Sequence, residues 1–308
     1  MNNKETYKQL CETEGCAIPL FLQYWWMDTV CQGKQWDVLL VHNRQGNITA
    51  ALPYLIGHKM GLKYIIQPQL TQYNGPWYSP CADRRDASRQ LSAALRKMGL
   101  TLYQQNFAPT VTDLDGWEEF SAQARRTYRI EDISDTQAVF NAFDKSRRQR
   151  QIRRCEKTLT PDENLTPEQF AHFHTQYWQS RGQKDLLEQE FMIKVITSAL
   201  ERGQGILMGV RDGDGDLHAA RFVAFDNRCA YALLSALHPT HHANGASALL
   251  FWLIIQKLSS HTRSFDFEGS MDPGIAFSYS LYGAKPTTYY QLTRWCHPAV
   301  GKLLSRWI

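Results

Sequence analysis

The sequence predicts a mixed α/β fold built from two similar halves, and three observations carry that expectation. The chain has 308 residues, more than a single core of ordinary size needs, because domains usually hold about 100–200 residues. Each half reads in the same order: helix, antiparallel strands, helix, strand, strand. Apolar runs of β-forming residues broken by short polar turns mark hairpins in both halves, and runs at helical spacing mark the helices between them. We therefore expect residues 1–134 to form one domain and 135–308 the other, each a mostly antiparallel central sheet flanked by helices. The passage falls near Ile133 to Gln137, where no Pro/Gly-rich linker stands.

In the first half, a helix over Pro19 to Cys31 precedes strand, turn at Arg44 to Asn47, and strand in "WDVLLVHNRQGNITAALPYLIG". A third extended segment is expected at Leu62 to Gln69. After the aromatic loop "TQYNGPWYSP" comes a helix from Arg85 to Lys97, with Leu91 and Leu95 at helical spacing. Strands at Thr101 to Phe107 and Tyr128 to Ile133 close the half.

The second half opens with one helix over Thr136 to Thr158. Thr166-Pro167-Glu168 then supplies a cap and a first-turn proline for the next helix. A further helix, Glu188 to Arg202, stops at Gly203. Three strands follow, Gly205 to Arg211, Leu217 to Phe225 and Cys229 to Leu237, the last two joined by a tight turn at Asp226-Asn227. The loop "HPTHHANGAS" leads to the helix Ala246 to Leu258, which is apolar all round and is therefore expected to be buried against a sheet. "SFDFEG" and "TTYYQLTRW" read as the last two strands.

The totals narrow the function. Apolar residues make up 43% and charged residues 21%, an ordinary globular balance, whereas 12% aromatics with nine Trp is high and suits either a well-filled core or a ligand groove. The polar start and the absence of a long apolar run suit a cytoplasmic protein with no transmembrane segment. Seven Cys with no CxxC suit a reducing compartment and predict neither a disulfide framework nor a zinc site. The net charge is +4, yet Lys145 to Lys157, "KSRRQRQIRRCEK", alone carries +6, leaving −2 for the rest. The basicity is one local feature, so no stable nucleic-acid partner is expected.

Three places carry candidate chemistry. Strand, glycine loop and buried helix at Tyr231 to Leu258 form a recipe for holding a phosphate, because amides in the first turn of a helix lack internal partners and sit at the positive end of its dipole. Asn244, Gly245, Ala246 and Ser247 are the residues concerned; the alternative is an ordinary capped loop. Arg147, Arg150 and Arg154 share one helix face at spacings of three and four, fit to grip phosphate or carboxylate, or simply to be solvated. Tyr73 and Trp77, with Tyr78, sit on a stiff loop suited to stacking on an acceptor, or else to filling an interface.

Other patterns lead nowhere. "DGDGD" (Asp212 to Asp216) imitates the front of a calcium loop, but its twelfth position is Val223, so a strand-joining turn is expected. His238, His241 and His242 lack the companions of a metal site, and His261 to Asp266 matches an acyltransferase spacing by chance. No GxSxG or Walker loop is present.

The segment His242-Ala-Asn-Gly245-Ala-Ser247 resembles the cofactor loop of the GNAT (N-acetyltransferase-like) superfamily: Arg or Gln, two residues, Gly, one residue, Gly or Ala. The glycine matches, and the first and last positions depart. "FDFEGSMDPGIAFSYSLYGAK" is similar to the Asp-Phe-x-Gly…Phe-Gly-Ala ending of the double-GNAT group. That group includes the Fem-type peptidoglycan-bridge aminoacyltransferases and cellulose-biosynthesis-like bacterial acetyltransferases. "SRRQRQIRRCEK" is similar to their Arg-x-x-Ile-Arg segment. The lysine that often follows the glycine in Fem-type proteins is not evident here, and the long helical arm that binds charged tRNA has no counterpart.

The resemblance implies two tandem GNAT-like domains, the second holding acetyl-CoA or another acyl-CoA, no metal, and transfer of the acyl group to an amine on a small-molecule or envelope-precursor acceptor. It implies that the strand after the glycine helix parts from its neighbour, so that the backbone of Leu234, Ser235 and Ala236 receives the pantetheine arm. Asp266 and Glu268, expected on one face of a strand, would then face the cleft. Glu268 would be the general base and Tyr279 or Tyr282 the proton donor to the leaving thiolate. The competing view makes Asp266 and Glu268 structural and Gly269 to Pro273 a plain turn. Two further alternatives are Fem-type transfer from aminoacyl-tRNA to a peptidoglycan precursor, and a degenerate, non-enzymatic binding protein.

Overall fold

The computed structural model describes residues 2–14, 17–241, 245–269 and 271–297. The chain divides into two compact units, one formed by the residues up to Arg125 together with those from Thr288, the other by Arg126–Thr287.

In the first unit, α1 (Asn3–Thr13) starts where the Asn2 side chain accepts from the Glu5 amide. A single 3-10 turn (Leu20–Leu22) and α2 (Tyr24–Val30) stand where one helix over Pro19 to Cys31 was expected. β1 (Trp36–His42) and β2 (Ile48–Lys59) form an antiparallel hairpin whose turn is tied by Asn43, its Oδ1 accepting from the Gln45 and Asn47 amides. β3 (Leu62–Ile66) continues the antiparallel meander, and β4 (Trp77–Tyr78) pairs with β2. After α3 (Arg84–Lys97), capped by Asp83, β5 (Leu102–Phe107) runs parallel to β3. The core beneath α3 joins Leu91 and Leu95 to Tyr103, Phe107, Trp117 and Phe120, the last three rings meeting edge to face about 5 Å apart.

β6 (Ser121–Ile130) carries the chain into the second unit, which includes its residues from Arg126 on. The expected helix over Thr136 to Thr158 is broken. α4 (Thr136–Ala142) ends because Phe143 and Asp144 turn extended; Asp144 then caps a single π-type turn at Lys145–Gln149, accepting from the Arg147 amide, and α5 (Arg150–Cys155) follows. β7 (Thr160–Asp162) has no counterpart among the expected strands. α6 (Pro167–Ser180) starts with the expected cap at Thr166, made reciprocal by Gln169, and α7 (Gln189–Glu201) follows. β8 (Gly205–Arg211), β9 (Leu217–Phe225) and β10 (Cys229–Leu237) form an antiparallel meander. α8 (Ala246–Leu258) is buried as expected, and after it β11 (Ser264–Asp266) lies parallel to β10. The "DGDGD" segment is the β8–β9 turn, with Asp212 accepting from the Asp214 and Asp216 amides. Pro273 opens a helix rather than a turn: α9 (Pro273–Ser280), capped by Asp272. β12 (Lys285–Trp295) ends the described chain.

Both units thus contain a three-stranded antiparallel meander, a helix, and a strand parallel to the last of the three. The closing strand is where they depart from the expected 1–134 and 135–308 division. β5 is covered by β12, with Tyr290 opposite Phe107 and Leu292 opposite Gln105, and β11 is covered by β6, with Ile130 opposite Phe265. A strand edge left bare is a pairing hazard, and here each edge is covered by a segment distant in sequence. Among the described residues no helix is long and apolar enough to cross a membrane.

Leu292 is wholly buried in the first unit's core. Leu292→Ala is expected to cost about 2–5 kcal/mol, read as a lower denaturant midpoint of tryptophan fluorescence; an unchanged midpoint would contradict the assignment of β12 to that core.

Candidate functional site

The local geometry of the second unit begins where two parallel strands stop pairing. β10 and β11 are in register only at Cys229–Ser264, Ala230–Phe265 and Tyr231–Asp266. β11 ends there, while β10 runs on to Leu237. Just past this point β10 carries one extra residue against β9: Tyr231 faces Ala224, and the next matched pair is Leu234 with Phe222. Such a bulge bends its strand and re-aims side chains. Leu234, Ser235 and Ala236 stay paired to β9, through Phe222, Arg221 and Ala220. On the β11 side, among the described residues, no strand covers them.

Asp266 and Glu268 differ in kind. Asp266 is 0% exposed; its Oδ1 accepts from Thr127 Oγ1 of β6 at 2.5 Å and from the Glu268 amide at 2.8 Å, and Arg129 Nε lies 3.9 Å from Oδ2. These contacts tie β6, β11 and the following loop together. Glu268 is not on the strand. Its φ of 67° lies in the left-handed region, where a residue with a side chain costs about 1–3 kcal/mol, so strand alternation does not set its direction. Its carboxyl Oε1 is buried and has no hydrogen-bond partner among the described residues. Burial, then the Asp266 charge, push its pKa well above the ordinary glutamate range.

Tyr279 on α9 is partly exposed, with its ring 5.2 Å from Phe267 and 6.0 Å from Tyr128. Burial raises its pKa; Arg221 opposes that and the Glu268 charge adds to it, so these three groups share one electrostatic neighbourhood. Tyr282 is a core residue, 2% exposed, packed among Phe143, Phe251 and Phe267 and pushed up to about 12 by burial. Of the two tyrosines, Tyr279 is the one with exposed surface.

α8 begins at Gly245, φ 97°, ψ 3°. A Cβ there would sit 3.1 Å from Gln151 Cβ and 3.2 Å from Cys155 Sγ of α5, so glycine is required both by conformation and by the close approach of α5. Ala246 is buried and Ser247 partly exposed; Asn244 and His242 lie outside the described residues. Arg147, Arg150 and Arg154 are exposed and, with Arg148, Gln151 and Leu281, line an open cavity of about 450 Å³. Gln151 belongs both to that lining and to the wall touching Gly245, so the arginine face and the start of α8 adjoin.

Residues 145–273 match the family described as an acetyltransferase (GNAT) domain. That match lies within the second unit. Solved structures extend the likeness to the whole chain: FemX at 10% identity, TM-score 0.75, with 98% of each chain covered; L-PGS from Bacillus licheniformis at 13%, TM-score 0.61, with 98% of this chain and 96% of that one; and a tandem GNAT protein from the clavulanic acid biosynthesis pathway at 15%, TM-score 0.57, with 96% and 97%. At these identities the likeness is one of fold. None of the curated proteins compared with the chain matches it.

The second unit holds a residue that sequence reading passed over. Arg221 lies in the middle of β9, 5% exposed, its guanidinium 3.5 Å from the Phe251 ring centroid and Nη2 donating to Ser247 Oγ at 3.3 Å. The available signal was a lone charge inside "LHAARFVAF", where a strand buried on both faces should carry none. The first-unit candidates fare otherwise. Tyr73 is 4% and Trp77 6% exposed; Tyr73 packs edge to face with Tyr289, and Trp77 Nε1 donates to the Ala17 carbonyl. They fill the first unit's interior and offer no open face for an acceptor. Among the described residues no cluster suits a metal ion.

The Glu268 carboxyl has a pH signature. The folded chain keeps this proton to higher pH than the unfolded chain, so stability falls as pH rises from about 4.3. Glu268→Gln, with no proton to lose, is expected to be more stable than wild type at neutral pH, the gap closing at the acid end. Urea unfolding across that range measures it.

Proposed function

We propose that the GNAT domain is an N-acyltransferase that moves an acetyl or other acyl group from a coenzyme A thioester directly to an amine, with Glu268 as general base. The observation that carries this reading is the buried, hydrogen-bond-free Oε1 of Glu268, beside the point where β10 and β11 separate.

The residues suit a phosphate-bearing donor. The glycine that a Cβ would crowd keeps the α8 start slim, and the adjoining arginines bring the charge and forked geometry that phosphates require. Arg147, Arg150 and Arg154 would hold the phosphates together with the amides of Gly245, Ala246 and Ser247, and the uncovered edge of β10 at Leu234 to Ala236 offers backbone partners to an extended amide-containing arm. When bound, such a donor supplies a thioester carbonyl.

Glu268 takes the proton the amine sheds as the C–N bond forms. Its raised pKa makes it a better base than a surface glutamate, a gain of the kind worth about 10²–10⁴ in rate. Tyr279, partly exposed and in the same electrostatic neighbourhood as Glu268, returns a proton to the departing sulfur. Asp266 positions Glu268 through the hydrogen bond to its amide. No covalent enzyme intermediate is needed, since alignment of the two reactants supplies much of the acceleration.

The acceptor fits a small molecule or an envelope precursor. A second reading, transfer of an amino acid from charged tRNA, is favoured by the likeness to FemX over the whole chain.

Two measurements test this. In calorimetry, acetyl-CoA is expected to bind the wild type and to bind Arg147→Ala/Arg150→Ala/Arg154→Ala about 10–100-fold more weakly, as loss of several charged hydrogen bonds implies; no binding to the wild type turns the case to the tRNA donor. In turnover, Glu268→Gln is expected to lower kcat about 10²–10⁴-fold, and a fully active variant removes Glu268 as base.

A further inference from the structure

Arg221 is a buried cation. Among the described residues no carboxylate lies within ion-pair distance, its Nε is buried without a partner, and its one side-chain hydrogen bond is the 3.3 Å contact to Ser247 Oγ. The ring of Phe251 beneath the guanidinium offsets part of the desolvation through its quadrupole. An isolated charge removed from water is still costly, a cost that an incoming anion would offset.

The surroundings say which ligand. Ser235 stands directly opposite Arg221 across the β9–β10 ladder, and opposite residues project from the same face. Ser235, Ser247 and Tyr279 are partly exposed; Ser247 accepts from the guanidinium, and Tyr279 and Tyr282 are the ionisable groups that act on it. The fork of a guanidinium matches the two oxygens of a carboxylate.

We propose that Arg221 recognises a carboxylate carried by one of the two reactants, with Ser235 and Ser247 as flanking hydrogen-bond partners. The chemistry has two possible sources: an acceptor whose amine sits near a carboxylate, as in an α-amino acid, or an acyl group derived from a dicarboxylic acid. Assignment to a reactant rests on the acyltransferase reading; the anion site itself does not.

The experiment measures affinity in matched pairs on the full chain. The acceptor arm sets a panel of α-amino acids against their carboxamides, and the donor arm sets succinyl-CoA against butyryl-CoA. Each is titrated by calorimetry into wild type, Glu268→Gln, Arg221→Met and Arg221→Gln. In one arm the carboxylated member is expected to bind wild type and Glu268→Gln about 10–100-fold more tightly than its uncharged twin, and both Arg221 variants are expected to lose that preference to within about 3-fold.

Arg221→Met is also expected to unfold at a denaturant midpoint equal to or above wild type, because it removes an uncompensated charge at similar volume. A marked loss of stability in Arg221→Met, with matched pairs binding the wild type alike, would make Arg221 a packing residue and overturn the proposal. Retained preference in both variants overturns it as well. Failure of the acyltransferase reading is seen separately, as wild type that binds but transfers nothing in any combination.

Discussion

The second unit depends on how one carboxylate, Asp266, is satisfied without water. A charge with no solvent access must find its partners inside the fold, and Asp266 finds them in a hydroxyl of β6, the amide two residues ahead and a guanidinium across the sheet. Taking the Glu268 amide for a side-chain bond removes it from any strand ladder, and that is why β11 stops where it does. β10, shifted by its bulge, continues alone. An opening between two parallel strands is thus the outcome of one hydrogen-bond choice, and the side chains best suited to chemistry stand at its edge.

The same region concentrates unfavourable energy. A glutamate in left-handed backbone, with a carboxyl oxygen that has no hydrogen-bond partner among the described residues, and a buried arginine with no counter-ion among them both act on Tyr279, each a feature that selection for stability alone would remove. The surrounding structure supports them. Phe251, Phe265, Phe267 and Tyr282 form a continuous aromatic bed in the core, so the cost falls on a few polar groups held by a stiff apolar base.

Legibility in the sequence followed physical range. Hairpins, capped helices and the buried α8 were readable because their signals are local: periodicity, a threonine before a proline, a glycine with its turn. The break of the long basic helix was missed, since Asp144 supports either continuation or a cap, and only the packing of Phe143 against Trp252 and Tyr282 draws the chain extended there. Glu268 was picked out by residue type and resemblance, yet its backbone is set by a bond to Asp266 that no spacing rule contains. Tyr73 and Trp77 show the converse: aromatic residues on a proline-containing loop read as a binding surface, but their burial is decided by partners such as Tyr289, more than two hundred positions away.

That distance has a consequence for how the protein is made. The first unit cannot close its sheet until β12 exists, so during synthesis at about 5–20 residues per second the nascent β5 waits on the order of ten to forty seconds with an open edge. The amino-terminal portion therefore matures last, although it is translated first. A cell making this chain must shield a half-built sheet for that interval, and slow codons placed before β12 would lengthen the exposure without altering a single amino acid.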